Sequence, residues 1–542
     1  MNELQVWEKH MKENPHLRRY VQEFVAQGNE MPSFHLKLTK ELAQDEFPNL
    51  IYLAGVPVFI HIYRPPEGGE TKYIAIEPQL TGKEKEKYRQ VLDALLIFAQ
   101  HAHMPKDEEE LKELIDKALK EVSTSGERRF ELSLIKKVPL SEEEYHAIRY
   151  QLIRDIIGMG VLEPFSRDPY IEDIFASGLG PIFVVHKFFG NLKTNVVLKS
   201  DQEVDEYCFR MGERMDAAIS DATPIVDGTM PDGSRVNIVY SRAISRRGSS
   251  FSVRKQTSEP LSITRIVDYG TISSEIAAYL WIAIENGMNV FFCGESACGK
   301  TSLLNAACAF IEPTAKVYTA EDTIEVTVPH KCWQQLTTVS GGMKGDYLVS
   351  MHDLLIASLR SRPNYIIVGE IRGSEGAIAF QAMQTGHPVM STFHASSVKK
   401  MIQRLTGNPI NVPITFIDNL NIGVIMRSVY RGRALLRRVV EISEIEGYST
   451  EAQGVLTRRI FDWDPVKDVH LFKGMYNSFI LENKIAPTLG YEDKREIYND
   501  LALRKRIIEE MVRRKIFDYY EVYDIIRSFW RYGVEGLPFS VG

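Results

Sequence analysis

Asn289-Val290-Phe291-Phe292-Cys293-Gly294-Glu295-Ser296-Ala297-Cys298-Gly299-Lys300-Thr301-Ser302 lies just past the middle of a 542-residue chain and decides its fold. Asn289–Cys293 reads as an apolar strand, Gly294–Thr301 fits G-x-x-x-x-G-K-[ST] in full, and Thr301–Phe310 reads as a helix. Strand, loop and helix in that order are the context the phosphate-loop motif requires. Glycines at both ends let successive backbone N–H groups turn inward around phosphate, and the helix N-terminus adds about half a positive charge. Gly294, Glu295, Ser296, Ala297, Cys298, Gly299, Lys300, Thr301 and Ser302 are the expected nucleotide cradle. Lys300 should reach the β- and γ-phosphates of ATP, and the Thr301 hydroxyl should bind Mg²⁺.

Outward from this loop, from about Leu261, strands alternate with helices, the mark of a parallel α/β sheet. Strands are expected at Lys316–Ala320, Tyr365–Val368 and Pro388–Thr392, with helices at Asp353–Arg360 and Ala377–Gln384. Two of these strands end in acids, which hydrolysis needs to place the metal shell and to orient the attacking water. Tyr365–Val368 runs into Gly369-Glu370, where a Walker B acid belongs, displaced by one residue and Glu rather than Asp. Glu370 is therefore expected to act on Mg²⁺ through water. Lys316–Ala320 runs into Glu321-Asp322-Thr323-Ile324-Glu325, three carboxylates among which a water-orienting acid is sought. His387 and His394 bracket the strand after Glu370. Lacking a third ligand, they read as γ-phosphate sensors rather than a metal site.

The remaining composition sets limits. Apolar residues make up 44% and charged residues 25%, and 65 Lys and Arg against 72 Asp and Glu leave a net charge of −7. Disorder is excluded, and the whole chain has no electrostatic reason to adhere to nucleic acid. The apolar run Ile276–Ile284 is about half the length a membrane-spanning helix needs. MNELQVWEKHMKEN has no apolar core before a small-residue cleavage site, so a cytoplasmic chain is expected. Cys208, Cys293, Cys298, Cys308 and Cys332 form no C-x-x-C pair, against a disulfide framework or a Cys₄ zinc site.

Helical patterns at Leu17–Val25, Gly82–Ala102 and Glu108–Val122 surround a hairpin pattern over Leu50–Tyr63 and Tyr73–Ile76. Three domains follow: 1–141, helical and α+β, for docking; 142–258, α+β and PAS-like, closed by a polar linker at Thr257–Pro260; and 259–542. The last carries further helices at Lys494–Arg514 and Tyr519–Trp530 as a C-terminal appendage.

Taken in order, Gly294–Thr301, Glu321–Glu325, Gly369-Glu370-Ile371-Arg372 and Thr385–His394 resemble the Walker A, Asp box, Walker B and His box of the type II/type IV secretion ATPase superfamily. Ile171–Thr194 and Phe461-Asp462-Trp463-Asp464-Pro465 are similar to archaeal members, the motors of archaella and adhesive pili. Thr323 replaces the proline usual in the Asp box, which bears on loop stiffness. The resemblance implies a RecA-like P-loop core behind α+β N-terminal domains, with Glu325 the catalytic glutamate and Lys300, Glu370 and His394 beside it. It also implies a homohexameric ring in which arginines cross the seam, drawn from Arg235, Arg246, Arg247 and Arg254, with Arg360 and Arg362 as further candidates. The ring would sit peripherally at the inner face of the cell membrane on a polytopic platform protein and assemble or rotate a filament. The rival readings are a RecA-like nucleic-acid motor, disfavoured by the acidic balance, and a nucleotide-gated scaffold, disfavoured by intact Glu325 and Glu370.

Overall fold

The computed structural model describes residues 3–39, 42, 45–99, 103, 105–124, 137–256, 259–339, 348–431 and 434–541. Contacts divide the chain into two units, Met1–Gln256 and Thr257–Gly542. Thr257 and Ser258, in the expected linker, lie outside the described residues, as do 100–102 at the end of the expected helix Gly82–Ala102.

The first unit is built on a ten-stranded mixed sheet. Its strands are β1 (Ser33–His35), β2 (Asn49–Leu53), β3 (Phe59–Tyr63), β4 (Lys72–Ile76), β7 (Ile171–Ala176), β8 (Gly180–His186), β9 (Gly190–Leu198), β10 (Ile225–Thr229), β11 (Arg235–Val239) and β12 (Ser250–Arg254). A separate parallel pair joins β5 (Ser123–Thr124) to β6 (Val138–Pro139). The expected hairpin over Leu50–Tyr63 is two antiparallel strands, β2 and β3, and β3 pairs in turn with β4.

The sheet order is β1-β2-β3-β4-β9-β8-β7-β12-β11-β10. It therefore runs across the 141/142 position at which the sequence divides this half, through the parallel pairing of β4 with β9. The core is shared in the same way. Asp168, fully buried, accepts from Tyr52 OH at 2.6 Å and Tyr73 OH at 2.7 Å, so one carboxylate ties residues from both sides of that position.

The second unit carries a nine-stranded sheet of β13 (Val290–Gly294), β14 (Val317–Glu321), β15 (Trp333–Thr337), β16 (Tyr365–Glu370), β17 (Val389–Phe393), β18 (Ile422–Arg431), β19 (Ala434–Ser449), β20 (Gly454–Asp464) and β21 (Val469–Phe472). Its order is β15-β14-β16-β17-β13-β18-β19-β20-β21. The strands from β15 through β18 are parallel, and β19 to β21 continue as an antiparallel meander.

Strand β13 shows why this half reads as unbroken apolar runs. Val290 and Phe292 join the core on one face of the sheet, while Phe291 and Cys293 join a second core on the other. A parallel sheet covered on both faces needs apolar side chains at every position. The helix Ser274–Glu285 is buried at every residue from Ile276 to Ile284, as an all-round apolar helix must be. The C-terminal helices Ile497–Arg513 and Tyr519–Tyr532 pack into the same core: Trp281 stacks on Phe310 with centroids 5.5 Å apart and meets the Phe529 ring edge-on at 5.4 Å. The helical extension is thus built into the sheet's cover.

Candidate active site

The C-terminal ends of the parallel strands converge on one edge of the sheet, where open α/β sheets bind ligands. β13 ends at Gly294, β14 at Glu321, β16 at Glu370 and β17 at Phe393. The phosphate loop is folded tightly against its neighbours. A Cβ on Gly294 would lie 2.4 Å from Cys298 Sγ and 2.6 Å from the Met426 carbonyl, so no larger residue fits. Gly299 takes φ +94°, a turn open to glycine, and the helix Lys300–Ala307 starts directly after it. Lys300 is 8% exposed and its ammonium donates to the Glu295 carbonyl at 3.0 Å, which aims the charge into the loop.

The acidic segment comes to this loop from a strand that lies between β13 and β16 in sequence but not in space. In space the strand between β13 and β16 is β17, and β14 lies on the far side of β16. The loop after β14 reaches the phosphate loop all the same: Thr301 Oγ1 donates to Glu325 Oε2 at 3.3 Å. Asn305 and Glu321 are among the residues that hold it there. Asn305, one turn along the helix, donates to the Glu325 carbonyl at 2.9 Å and accepts from Thr327 N–H at 3.2 Å. Glu321, 1% exposed, accepts the N–H groups of Glu325 and Val326 at 2.9 and 2.8 Å on Oε1. Burial pushes its carboxyl up to about 7 despite those two bonds.

Glu370 faces a different neighbourhood. Arg372 donates to its Oε2 at 2.5 Å, and His394 Nε2 lies 2.9 Å from its Oε1, close enough to pair but out of hydrogen-bond alignment. Burial opposes its charge, yet the Arg372 hydrogen bond and charge, with His394 and Lys300, hold the carboxyl below the usual range. Burial first, and then the Lys300 charge, lower the His394 pKa, so the ring is neutral near pH 7. Arg404 fixes the ring's backbone by donating to the His394 carbonyl at 2.7 Å.

These groups fit Mg²⁺, a hard cation that takes oxygen ligands. Glu370 Oε1 is buried without a hydrogen-bond partner among the described residues, and the Thr301 hydroxyl stands at the loop's helix start. Thr301 would hold the ion directly and Glu370 through water. Bound there, the ion would neutralise charge on the phosphate oxygens.

Of the remaining candidates, His387 precedes β17 while His394 follows it, so the two histidines stand at opposite ends of that strand and only His394 meets Glu370. Arg360 and Arg362 precede β16 and so lie at the end remote from Glu370. Arg235, Arg246 and Arg254 belong to the first unit, where Arg254 pairs with Asp173 at 3.1 Å. Asn305 and Arg437 escape the sequence reading. No motif marks Asn305, and Arg437 meets the loop by donating to the Ala297 carbonyl at 3.0 Å from 140 residues away.

The family model for type II/IV secretion system proteins matches residues 158–416. The chain is also 52% identical to Uncharacterized protein MJ0900 of Methanocaldococcus jannaschii over 540 residues, 98% of each chain. The chain belongs to the type II/type IV secretion ATPase superfamily. A more distant relative is the type IV secretion system protein VirB11 of Bartonella quintana, 27% identical over 222 residues, 35% of this ATPase and 62% of that protein. Among solved structures, the Legionella pneumophila ATPase DotB aligns at a TM-score of 0.38 and 17% identity, covering 67% of this chain and 92% of that one. No helix among the described residues is long and apolar enough to cross a membrane.

Proposed function

We propose that this ATPase works as a homohexameric ring at the cytoplasmic face of a membrane, docked on a polytopic membrane protein, and uses Mg-ATP to assemble or rotate a type IV pilus-like filament, an archaellum or an adhesive pilus. The observation that carries the reading is the 3.3 Å contact between Thr301 and Glu325, which sets the expected metal-binding hydroxyl against the expected catalytic acid. Lys300 binds the β- and γ-phosphates, Glu325 orients the attacking water and accepts its proton, and Glu370, steadied by Arg372 and His394, would hold the metal through water. An arginine from Arg235, Arg246 or Arg254 of a neighbouring subunit meets the charge that spreads over the γ-oxygens, a contribution of about 10³–10⁵-fold when supplied in trans.

Phosphate release measured against protein concentration tests this, with native mass spectrometry to count subunits. Turnover should rise steeply as six-membered rings form, and liposomes of membrane lipid should stimulate it where single-stranded DNA does not. Mixing Lys300→Ala chains with chains lacking the critical arginine should recover part of the activity at mixed seams. Stimulation by DNA alone, or full activity in a monomer, contradicts the proposal.

A further inference from the structure

The hairpin of β18 and β19 touches the phosphate loop at three places that the site as described leaves without a purpose. The Met426 carbonyl closes on Gly294, and the Arg437 Cδ lies 3.3 Å from where a Cβ on Gly299 would sit. Arg437 Nε donates to the Ala297 carbonyl at 3.0 Å. Ser428, opposite Arg437 in the strand register, points its hydroxyl at the same carbonyl from 3.5 Å. Ala297 holds φ +60°, a left-handed conformation that costs a residue with a Cβ.

A trans peptide is planar, so its C=O and N–H point in opposite directions. Drawing the Ala297 carbonyl outward onto the guanidinium turns the Cys298 N–H to the inner side of the loop, where phosphate-binding amides must face. We infer that Arg437 is a positioning residue of the nucleotide site: through the Ala297 carbonyl it holds the loop's crest in a strained shape that presents the Cys298 amide to phosphate. The inference rests on the phosphate-loop reading of Gly294–Thr301. It assigns Arg437 an effect on nucleotide affinity rather than on the chemical step.

The test uses the full chain and measures equilibrium binding of ADP together with kcat and KM for ATP, with Lys300→Ala in parallel. Arg437→Ala should weaken ADP binding and raise KM about tenfold or more, the worth of a charge-assisted hydrogen bond, with kcat within about twofold. Adding Ala297→Gly should recover about fivefold of that loss, because glycine takes the left-handed turn without help. Arg437→Lys should fall between wild type and Arg437→Ala. If Arg437→Ala loses the native circular dichroism spectrum, the comparison passes to Arg437→Lys and Ser428→Ala, each of which should weaken ADP binding at least about twofold. Unchanged ADP affinity overturns the inference, as does a fall in kcat at constant affinity that Ala297→Gly leaves untouched. A Lys300→Ala chain that still binds and hydrolyses ATP would instead sink the phosphate-loop reading itself.

Discussion

Asn305→Ala should separate the catalytic acid from the phosphate loop while leaving the loop's own residues in place. Asn305 is 8% exposed and makes two bonds to the acidic segment, at 2.9 Å to the Glu325 carbonyl and 3.2 Å from Thr327 N–H. A net hydrogen bond contributes about 1 kcal/mol, so removing both weakens the held position of this segment by about 2 kcal/mol. At about 1.4 kcal/mol per factor of ten, the equilibrium constant for holding Glu325 against Thr301 falls about 30-fold, and kcat should fall by up to that factor. Affinity for ADP should change less than about threefold, since the Lys300 contact and the loop glycines are untouched. Steady-state phosphate release gives kcat, and titration with ADP gives affinity. An Asn305→Ala chain that turns over ATP at the wild-type rate would refute the reasoning, because the loop would then be held by something other than this side chain.

Two further outcomes follow from the same structure. Glu321 titrates near 7 in the fold against an ordinary value of 4.5, so its contribution to stability is fully present below about 4.5 and is lost as pH rises through about 7. Denaturant melts of the nucleotide-free protein should show that decline, and Glu321→Gln should flatten it; a wild-type profile flat between those pH values would contradict the buried placement of this acid. A chain cut before Glu142 loses β1 to β4, exposing the edge of β9 and removing Tyr52 and Tyr73 from Asp168, so it should be digested rapidly by protease. A chain cut at Thr257 keeps a whole sheet and should resist digestion and bind ADP; equal resistance of both would show that the first sheet does not act as one body.

The parts legible in the sequence are those whose physics is local. The strand, the glycines and Lys300-Thr301 are contiguous, and their chemistry fixes their spacing, so the loop could be read without knowing what surrounds it. Glu370 reads likewise as an acid at a strand end, while Glu321, Asp322 and Glu325 read only as a cluster beyond one, from which the family resemblance alone picks Glu325. Arg437 is not legible, because its role comes from a strand pairing, Arg437 opposite Ser428, that brings residue 437 back to residue 297. The meander of β18 to β21 hid for a related reason. Its long strands are half solvated, with burial at consecutive positions confined to short runs such as Ile422–Met426, Ile442–Ile445 and Ile460–Phe461. The pairing of β4 beside β9 is not legible locally, since it joins Lys72 to Lys193 and Tyr73 to Thr194 across a stretch with helices of its own.

Hydrolysis at this site depends most on Glu325 acting at the phosphate loop. The most direct measurement is phosphate release from Mg-ATP by Glu325→Gln beside wild type, with ATP affinity determined on the same preparations. Loss of a general base costs about 10²–10⁴-fold, so the variant should bind ATP as wild type does and hydrolyse it slower by that factor. A Glu325→Gln chain that hydrolyses ATP at the wild-type rate would place the catalytic acid elsewhere and contradict the assignment.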